Sequence, residues 1–291
     1  MISSLFLPPL SRMLDIFEHT RFTMVCQTDS GRVRDHNEDV VLVNGSVGLA
    51  VLADGMGGYN AGEVAARVAV DVVAEGAIQA VEDARSNGKS LTEADPAIGL
   101  SRAGLVLRDQ ILRANEAVFE AALNDPEYEG MGTTIVATLL TGRRLVVAHV
   151  GDSRCYRLRN GVLMALTRDH SLLQEQIDCG EWAEDAAKNF PHKNLVTRAL
   201  GAERYVQVDI AGHVVEPDDL YLLCSDGLTD MLDPPEMAAL LKGNGDLEHK
   251  VTSLVQAANE AGGRDNISAV LIGVSAEPAV KPAVMRKRKV A

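Results

Sequence analysis

The chain divides its apolar residues into short β-rich runs, and carboxylates stand at the ends of five of them. Glu38-Asp39 comes just before Val40–Val43, and Asp54-Gly55 comes just after Val47–Ala53. Leu145–Val150 leads into Gly151-Asp152, Leu220–Cys224 leads into Ser225-Asp226, and Asp265 stands just before Ile267–Val274. Such runs, bounded by Gly, Asn and Asp, read as strands. Asn44-Gly45 between the first two is a tight-hairpin signal. An antiparallel hairpin brings Glu38, Asp39 and Asp54 to one end of its ribbon, and strand polarity allows Asp152, Asp226 and Asp265 to share that rim. Carboxylates crowded together raise one another's pKa and cannot all stay ionised without cations. Hard divalent cations with oxygen ligands, Mg²⁺ or Mn²⁺, resolve the conflict. A single Asp-Gly step is ordinarily a solvated turn; the repetition is what points to a cation site.

Composition removes several alternatives. At 291 residues the chain has room for one large domain or two small ones. Hydrophobic residues at 46% and charged residues at 24% exclude wholesale disorder. A net charge of −13 repels phosphate backbones and anionic membranes, and 4% aromatic residues make a poor base-stacking platform. The seven histidines form no HExxH, and the four cysteines form no CxxC, so a helical zinc site and a disulfide scaffold both lack support. The thiols are expected to be reduced and mostly buried. The apolar run Leu5-Phe6-Leu7 is broken by Pro8-Pro9 and lacks a basic flank, and no apolar stretch reaches the roughly 18 residues of a membrane span. The protein is expected to be cytoplasmic, with no nucleic-acid or membrane partner.

The pattern along the chain predicts strands at 22–28, 40–43, 47–53, 133–140, 145–150, 154–159, 162–166, 206–214, 220–224 and 267–274. Helices are predicted after Gly58, over 101–123, 234–242 and 246–262, with a surface loop at 82–100 and an irregular stretch at 168–200. Adjacent hairpins and paired helices make an α+β protein with antiparallel sheets, not alternating βαβ units. The domain plan is an N-terminal extension over 1–20, one domain over 21–276, and a disordered basic tail over 277–291 that carries Arg286-Lys287-Arg288-Lys289.

Six segments, in order, carry a family resemblance: Arg34-Asp35-His36-Asn37-Glu38-Asp39, Asp54-Gly55-Met56-Gly57-Gly58, Gly132-Thr133-Thr134, Gly151-Asp152-Ser153-Arg154, Ser225-Asp226-Gly227-Leu228 and Gly263-Arg264-Asp265-Asn266-Ile267. The chain resembles the bacterial form of the metal-dependent protein phosphatase family, the PPM-type or type-2C Ser/Thr phosphatases, from about residue 22 to 275. The resemblance implies a sandwich of two antiparallel sheets flanked by helices on both sides (αββα). It also implies hydrolysis of phosphoserine and phosphothreonine by direct attack of a hydroxide bridging two Mn²⁺ or Mg²⁺ ions, with a third ion bound more weakly. Asp54 would bridge the ions with the Gly55 carbonyl as a further ligand. Glu38 would hold one ion, Asp226 and Asp265 the other, and Asp152 with Asp226 the third. Asp39 would orient metal-bound water from behind the ligands, and Arg34 would grip the substrate phosphate. The implied partners are a phosphoprotein substrate and a Ser/Thr kinase pathway, and a monomer is expected. Residues around Trp182 are expected to form a substrate-selecting flap.

Eukaryotic members carry His two residues after the bridging Asp; here that place is Met56, which cannot donate a proton. A metal-bound water then takes that task, with His149 and His170 as substitutes, although a buried structural role is the commoner fate of such histidines. A thiolate mechanism lacks its CxxxxxR loop. A phosphatase with an Asp nucleophile would need a second Asp where Met56 stands. A phosphoprotein-binding module without turnover would be expected to lack a metal ligand, and none is missing.

Overall fold

A computed structural model of the protein describes residues 20–58, 61–183, 190 and 195–276. The predicted extension over 1–20, all but its last residue, and the basic tail over 277–291 lie outside the described residues. The strands are β1 (Thr20–Asp29), β2 (Asp39–Asn44), β3 (Leu49–Met56), β4 (Gly132–Thr133), β5 (Ile135–Thr141), β6 (Arg144–Val150), β7 (Arg154–Arg159), β8 (Val162–Ala165), β9 (Asp209–Val214), β10 (Leu220–Cys224) and β11 (Ile267–Ala276). The helices are α1 (Ala61–Ser86), α2 (Arg102–Asn124), α3 (Leu172–Asp178), α4 (Asp226–Thr229), α5 (Pro234–Lys242) and α6 (Leu247–Glu260).

Two antiparallel sheets result, one ordered β1-β11-β10-β7-β8 and the other β2-β3-β5-β6-β9, with β4 paired to β3. Inner strands such as β3, β5 and β10 are buried on both faces because both faces are covered. In β3, Ala50 and Leu52 point into the layer between the sheets, where they meet Tyr221, Leu223, Val270 and Ile272 of the other sheet. Leu49, Val51 and Ala53 point the other way, against Ala65, Ala69, Val73 and Leu107 of α1 and α2. Ile267, Ala269 and Leu271 of β11 turn outward onto Leu254 and Ala258 of α6 and Met237 of α5. A strand's two-residue period thus serves two cores at once. The layers run helix, sheet, sheet, helix.

The structure departs locally from the sequence reading. The first helix runs on to Ser86, because Ala77, Val81 and Ala84 keep its buried stripe going, and the predicted loop begins only after it. The stretch over 168–200 is not irregular throughout. Ser171 accepts the Gln174 N–H and caps α3, a helix too short to show a period in the sequence. The predicted strand over 133–140 breaks at Thr134, and that over 206–214 begins only at Asp209.

Candidate metal centre

The register settles where the acids go. Asp39 and Asp54 are directly paired across β2 and β3, with Glu38 one residue earlier in the chain. Asp226 opens α4 immediately after β10, and Asp265 and Asn266 lead into β11 beside it. The β1–β2 loop is tied to that second sheet through Asn266. Its Oδ1 accepts the Glu38 N–H at 2.8 Å, and its Nδ2 donates to the carbonyls of His36 and Ser30 at 2.8 and 3.1 Å. Ser225 Oγ donates to Asp39 Oδ2 at 2.8 Å, a second bridge between the sheets. The rim is therefore one place, assembled from both sheets.

Asp54 is fixed through its backbone. Its N–H donates to Thr134 Oγ1 at 3.2 Å, and its carbonyl accepts from Thr133 Oγ1 and the Thr134 N–H, each at 2.9 Å. Gly55 follows where the end of β3 meets the first turn of α1. A Cβ there would collide with the Gly62 carbonyl, so only glycine fits. The Thr134 hydroxyl also bonds Ser153 Oγ at 2.8 Å, which draws the Asp152 turn against the same strand end.

The charges on the rim interact strongly. Burial, and then the charges of Asp39, Asp226, Asp152 and Asp265, push Asp54 well above the ordinary carboxylate range. Asp226 is raised likewise by burial and by Asp152, Asp265, Asp230 and Asp39. Asp39 and Asp152, both buried, are each pushed up to about 6, chiefly by burial. Glu38 is also raised by burial, against the opposing pull of Arg34. Asp39 Oδ1 is buried and has no hydrogen-bond partner among the described residues. An all-carboxylate donor set in which the acids lift one another's pKa, with an orphaned buried oxygen behind it, suits hard divalent cations. Glu38, Asp54, Asp226 and Asp265 at the mouth and Asp152 beside them could hold such ions.

Arg34, expected to grip a phosphate, here donates to Asp265 Oδ2 at 2.7 Å from a half-exposed position. Trp182 packs edge-on to Phe190 with ring centroids 5.1 Å apart. Much of the flap expected around it, residues 184–189 and 191–194, lies outside the described residues. Cys155 and Cys224 are buried, as expected, whereas Cys179 is exposed. His149 and His170 are buried and stacked 4.8 Å apart, behind the Asp152 turn. Sequence reasoning missed Asp230, whose charge reaches Asp226 and Asp152. Its spacing from Asp226 carries meaning only once α4 is known.

The family model for Protein phosphatase 2C matches residues 26–271. The chain is 39% identical to the serine/threonine phosphatase stp of Listeria monocytogenes over 253 residues, covering 84% of this chain and 93% of the relative. It is 35% identical to the serine/threonine protein phosphatase PstP of Mycobacterium tuberculosis over 257 residues, covering 85% of this chain and 44% of that longer protein. The crystal structure of the M. tuberculosis phosphatase superposes with a TM-score of 0.75 at 32% identity, covering 88% of this chain and 99% of the other. The catalytic domain of PstP in complex with two manganese ions gives a TM-score of 0.73 at 31% identity, covering 88% and 99%.

Proposed function

Because the chain belongs to the protein phosphatase 2C family, we propose that it is a metal-dependent protein serine/threonine phosphatase whose working residues are the rim acids and Arg34. One observation carries the assignment of residues. Both sheets deliver carboxylates to one rim, where burial and mutual repulsion leave Asp54 and Asp226 reluctant to ionise. Mn²⁺ or Mg²⁺ bound there supplies Lewis acidity, activating water at neutral pH and offsetting charge on the phosphate oxygens. In this reading Glu38 and Asp54 would hold one ion and Asp54, Asp226 and Asp265 the other, with the Gly55 carbonyl as a further ligand. Asp152 with Asp226 would hold a weaker third.

The chain's own groups then divide the remaining work. Asp39, anchored by Ser225 at one oxygen, presents Oδ1 to hold a water proton. Arg34, at 52% side-chain exposure, is free to swing from Asp265 to the incoming phosphate, which its planar fork matches in two-point fashion. Met56 has no proton to give a leaving Ser or Thr oxygen. The substrate is a phosphoserine or phosphothreonine protein. An opposing Ser/Thr kinase, a monomeric state and a cytoplasmic location complete the proposal. None of the helices among the described residues is long and apolar enough to cross a membrane.

The test is turnover of a phosphothreonine peptide with Mn²⁺, in the wild type and Asp226→Asn. Losing a ligand that supports several kcal/mol of charge stabilisation should lower kcat by about a hundredfold or more, and excess EDTA should abolish turnover of the wild type. Full turnover in EDTA, or peptide binding without hydrolysis, would refute the proposal.

A further inference from the structure

Asp152 sits in a turn that one distant side chain clamps. The Gly151 N–H donates to His170 Nδ1 at 3.1 Å, and the His170 N–H returns a bond to the Gly151 carbonyl at 3.0 Å. Gly151 takes a φ of +103° and lies against Thr134, so that a Cβ there would collide with it. The turn is thus pressed between Thr134, which also holds Asp54, and the His170 ring.

The ring itself is held on every side. Its Nδ1 accepts from Gly151, so in the neutral ring the proton sits on Nε2, which faces Asp209 Oδ2 at 3.4 Å. Arg198 Nη1, which can only donate, gives its two protons to Asp209 Oδ1 at 2.9 Å and the Gln207 carbonyl at 3.2 Å, so its 2.9 Å approach to Nε2 is a neighbouring contact that leaves the Nε2 proton to Asp209 Oδ2. His149 stacks on one face, anchored through Nε2 to the Arg168 carbonyl at 2.8 Å. Burial, then His149 and Arg198, hold the His170 pKa down to about 4, so the Nδ1 lone pair is present at neutral pH. The ligand atoms of His149, His170 and Asp209 lie within 4.8 Å of one another. The Arg198 guanidinium among them and the bonds already made by both rings leave no cation site there.

His170 also begins the segment that carries α3. Its carbonyl accepts the Thr197 N–H at 2.8 Å, the Leu172 N–H donates to the Leu195 carbonyl at 2.9 Å, and Ser171 bridges Val196. One residue thus joins the base of that segment to the turn bearing a rim acid.

We propose that His170 is a positioning residue, which as a neutral acceptor holds Gly151 and so sets the Asp152 carboxylate on the metal rim. This rests on the reading of Asp152 as a site acid. It also replaces the thought that His170 donates a proton to the leaving group, since its one proton points away from the rim, toward Asp209.

The test uses the full chain with His170→Asn, whose Oδ1 falls near the Nδ1 position, and His170→Gln, whose amide reaches toward Asp209 and leaves Gly151 without an acceptor. Without metal, hydrogen exchange at the Gly151 amide should rise about tenfold in His170→Gln, the equivalent of one ordinary hydrogen bond, and stay near wild type in His170→Asn. With Mn²⁺, the concentration for half-maximal turnover of a phosphothreonine peptide should rise in His170→Gln by a similar factor, with kcat at saturating Mn²⁺ within about twofold. Should His170→Gln fail to fold, Asp209→Asn, which frees the ring to turn, should give the same exchange increase. Unchanged Gly151 exchange in both variants overturns the proposal. It is also overturned if Asp152→Ala shifts the Mn²⁺ dependence while His170→Gln does not. If Asp152→Ala itself leaves the Mn²⁺ dependence unmoved, the reading of Asp152 as a site acid is what fails, and the claim that His170 sets a metal-rim acid falls with it.

Discussion

A buried carboxylate oxygen without a donor costs free energy that some partner must offset, and Asp39 Oδ1 is such an oxygen among the described residues. Around it, burial and neighbouring charges raise Asp54 and Asp226 and push Asp39 and Asp152 up to about 6, so at mildly acidic pH the rim keeps protons that a cation must displace. Mn²⁺ binding should therefore release protons at pH 6 and fewer at pH 8, where the raised groups are closer to fully ionised. Calorimetry in buffers of different ionisation enthalpy measures this directly, and proton uptake at pH 6 would contradict the reading of the rim. Arg34 gives a second prediction at this scale. Its bond to Asp265 competes with any ion on that carboxylate, so Arg34→Ala should bind Mn²⁺ at least as tightly as the wild type. The KM for a small phosphoester should rise about tenfold, more than kcat falls, because a ground-state grip is lost. Weaker Mn²⁺ binding would show that the arginine supports the metals.

At the scale of elements, the sheet strands were legible because β-branched runs with turn residues at their ends have few other outcomes. The helix read over 101–123 was legible to within a residue at each end, and Ser101, placed inside it by the sequence, is its cap, whose hydroxyl accepts the Gly104 N–H. Short α3 and α4 were not, since one or two turns show no period. One tie between elements was also invisible. Arg159 at the end of β7 donates to both oxygens of Asp219 at 2.7 and 2.6 Å, just ahead of β10, while Tyr221 Oη and the Glu216 N–H bond the same carboxylate. Burial alone would raise Asp219, but these donors outweigh it and hold its pKa below the ordinary value. A depressed folded-state pKa contributes stability above the unfolded value near 4, and that contribution is lost as pH falls through the folded value. Asp219→Asn should thus cost about 3 kcal/mol at neutral pH, since it breaks a buried pair on one side. Denaturant unfolding at several pH values should show the gap to wild type narrowing below about pH 4. A gap that widens in acid would refute the account.

For the whole molecule, the rim acids come from both sheets, so a cation bound there fastens the two halves of the sandwich in addition to serving chemistry. A ligand that binds only the folded state stabilises it by about 2.7 kcal/mol at a hundred times its Kd. For a domain of this size that corresponds to a Tm rise of roughly 5 °C. Thermal unfolding with saturating Mn²⁺ at pH 8 should show this in the wild type and far less of it in Asp226→Asn. The same rise in both would place the bound ion elsewhere.

What the sequence by itself determined was chemistry at strand ends. Residue type and its place in an apolar run are local facts, and from them came the α+β class, the antiparallel hairpins and the candidate acids Glu38, Asp39, Asp54, Asp152, Asp226 and Asp265. The tertiary structure decided which groups meet across more than a hundred residues. The Asn266 tie to Glu38, the Ser225 bond to Asp39 and the Arg34 pairing with Asp265 all depend on how the two sheets stack. The hold of His170 on Gly151 depends on the fold of the segment after β8. Hydropathy and propensity act between near neighbours in the chain, whereas a hydrogen bond between distant segments exists only after packing has set their separation to within a fraction of an ångström.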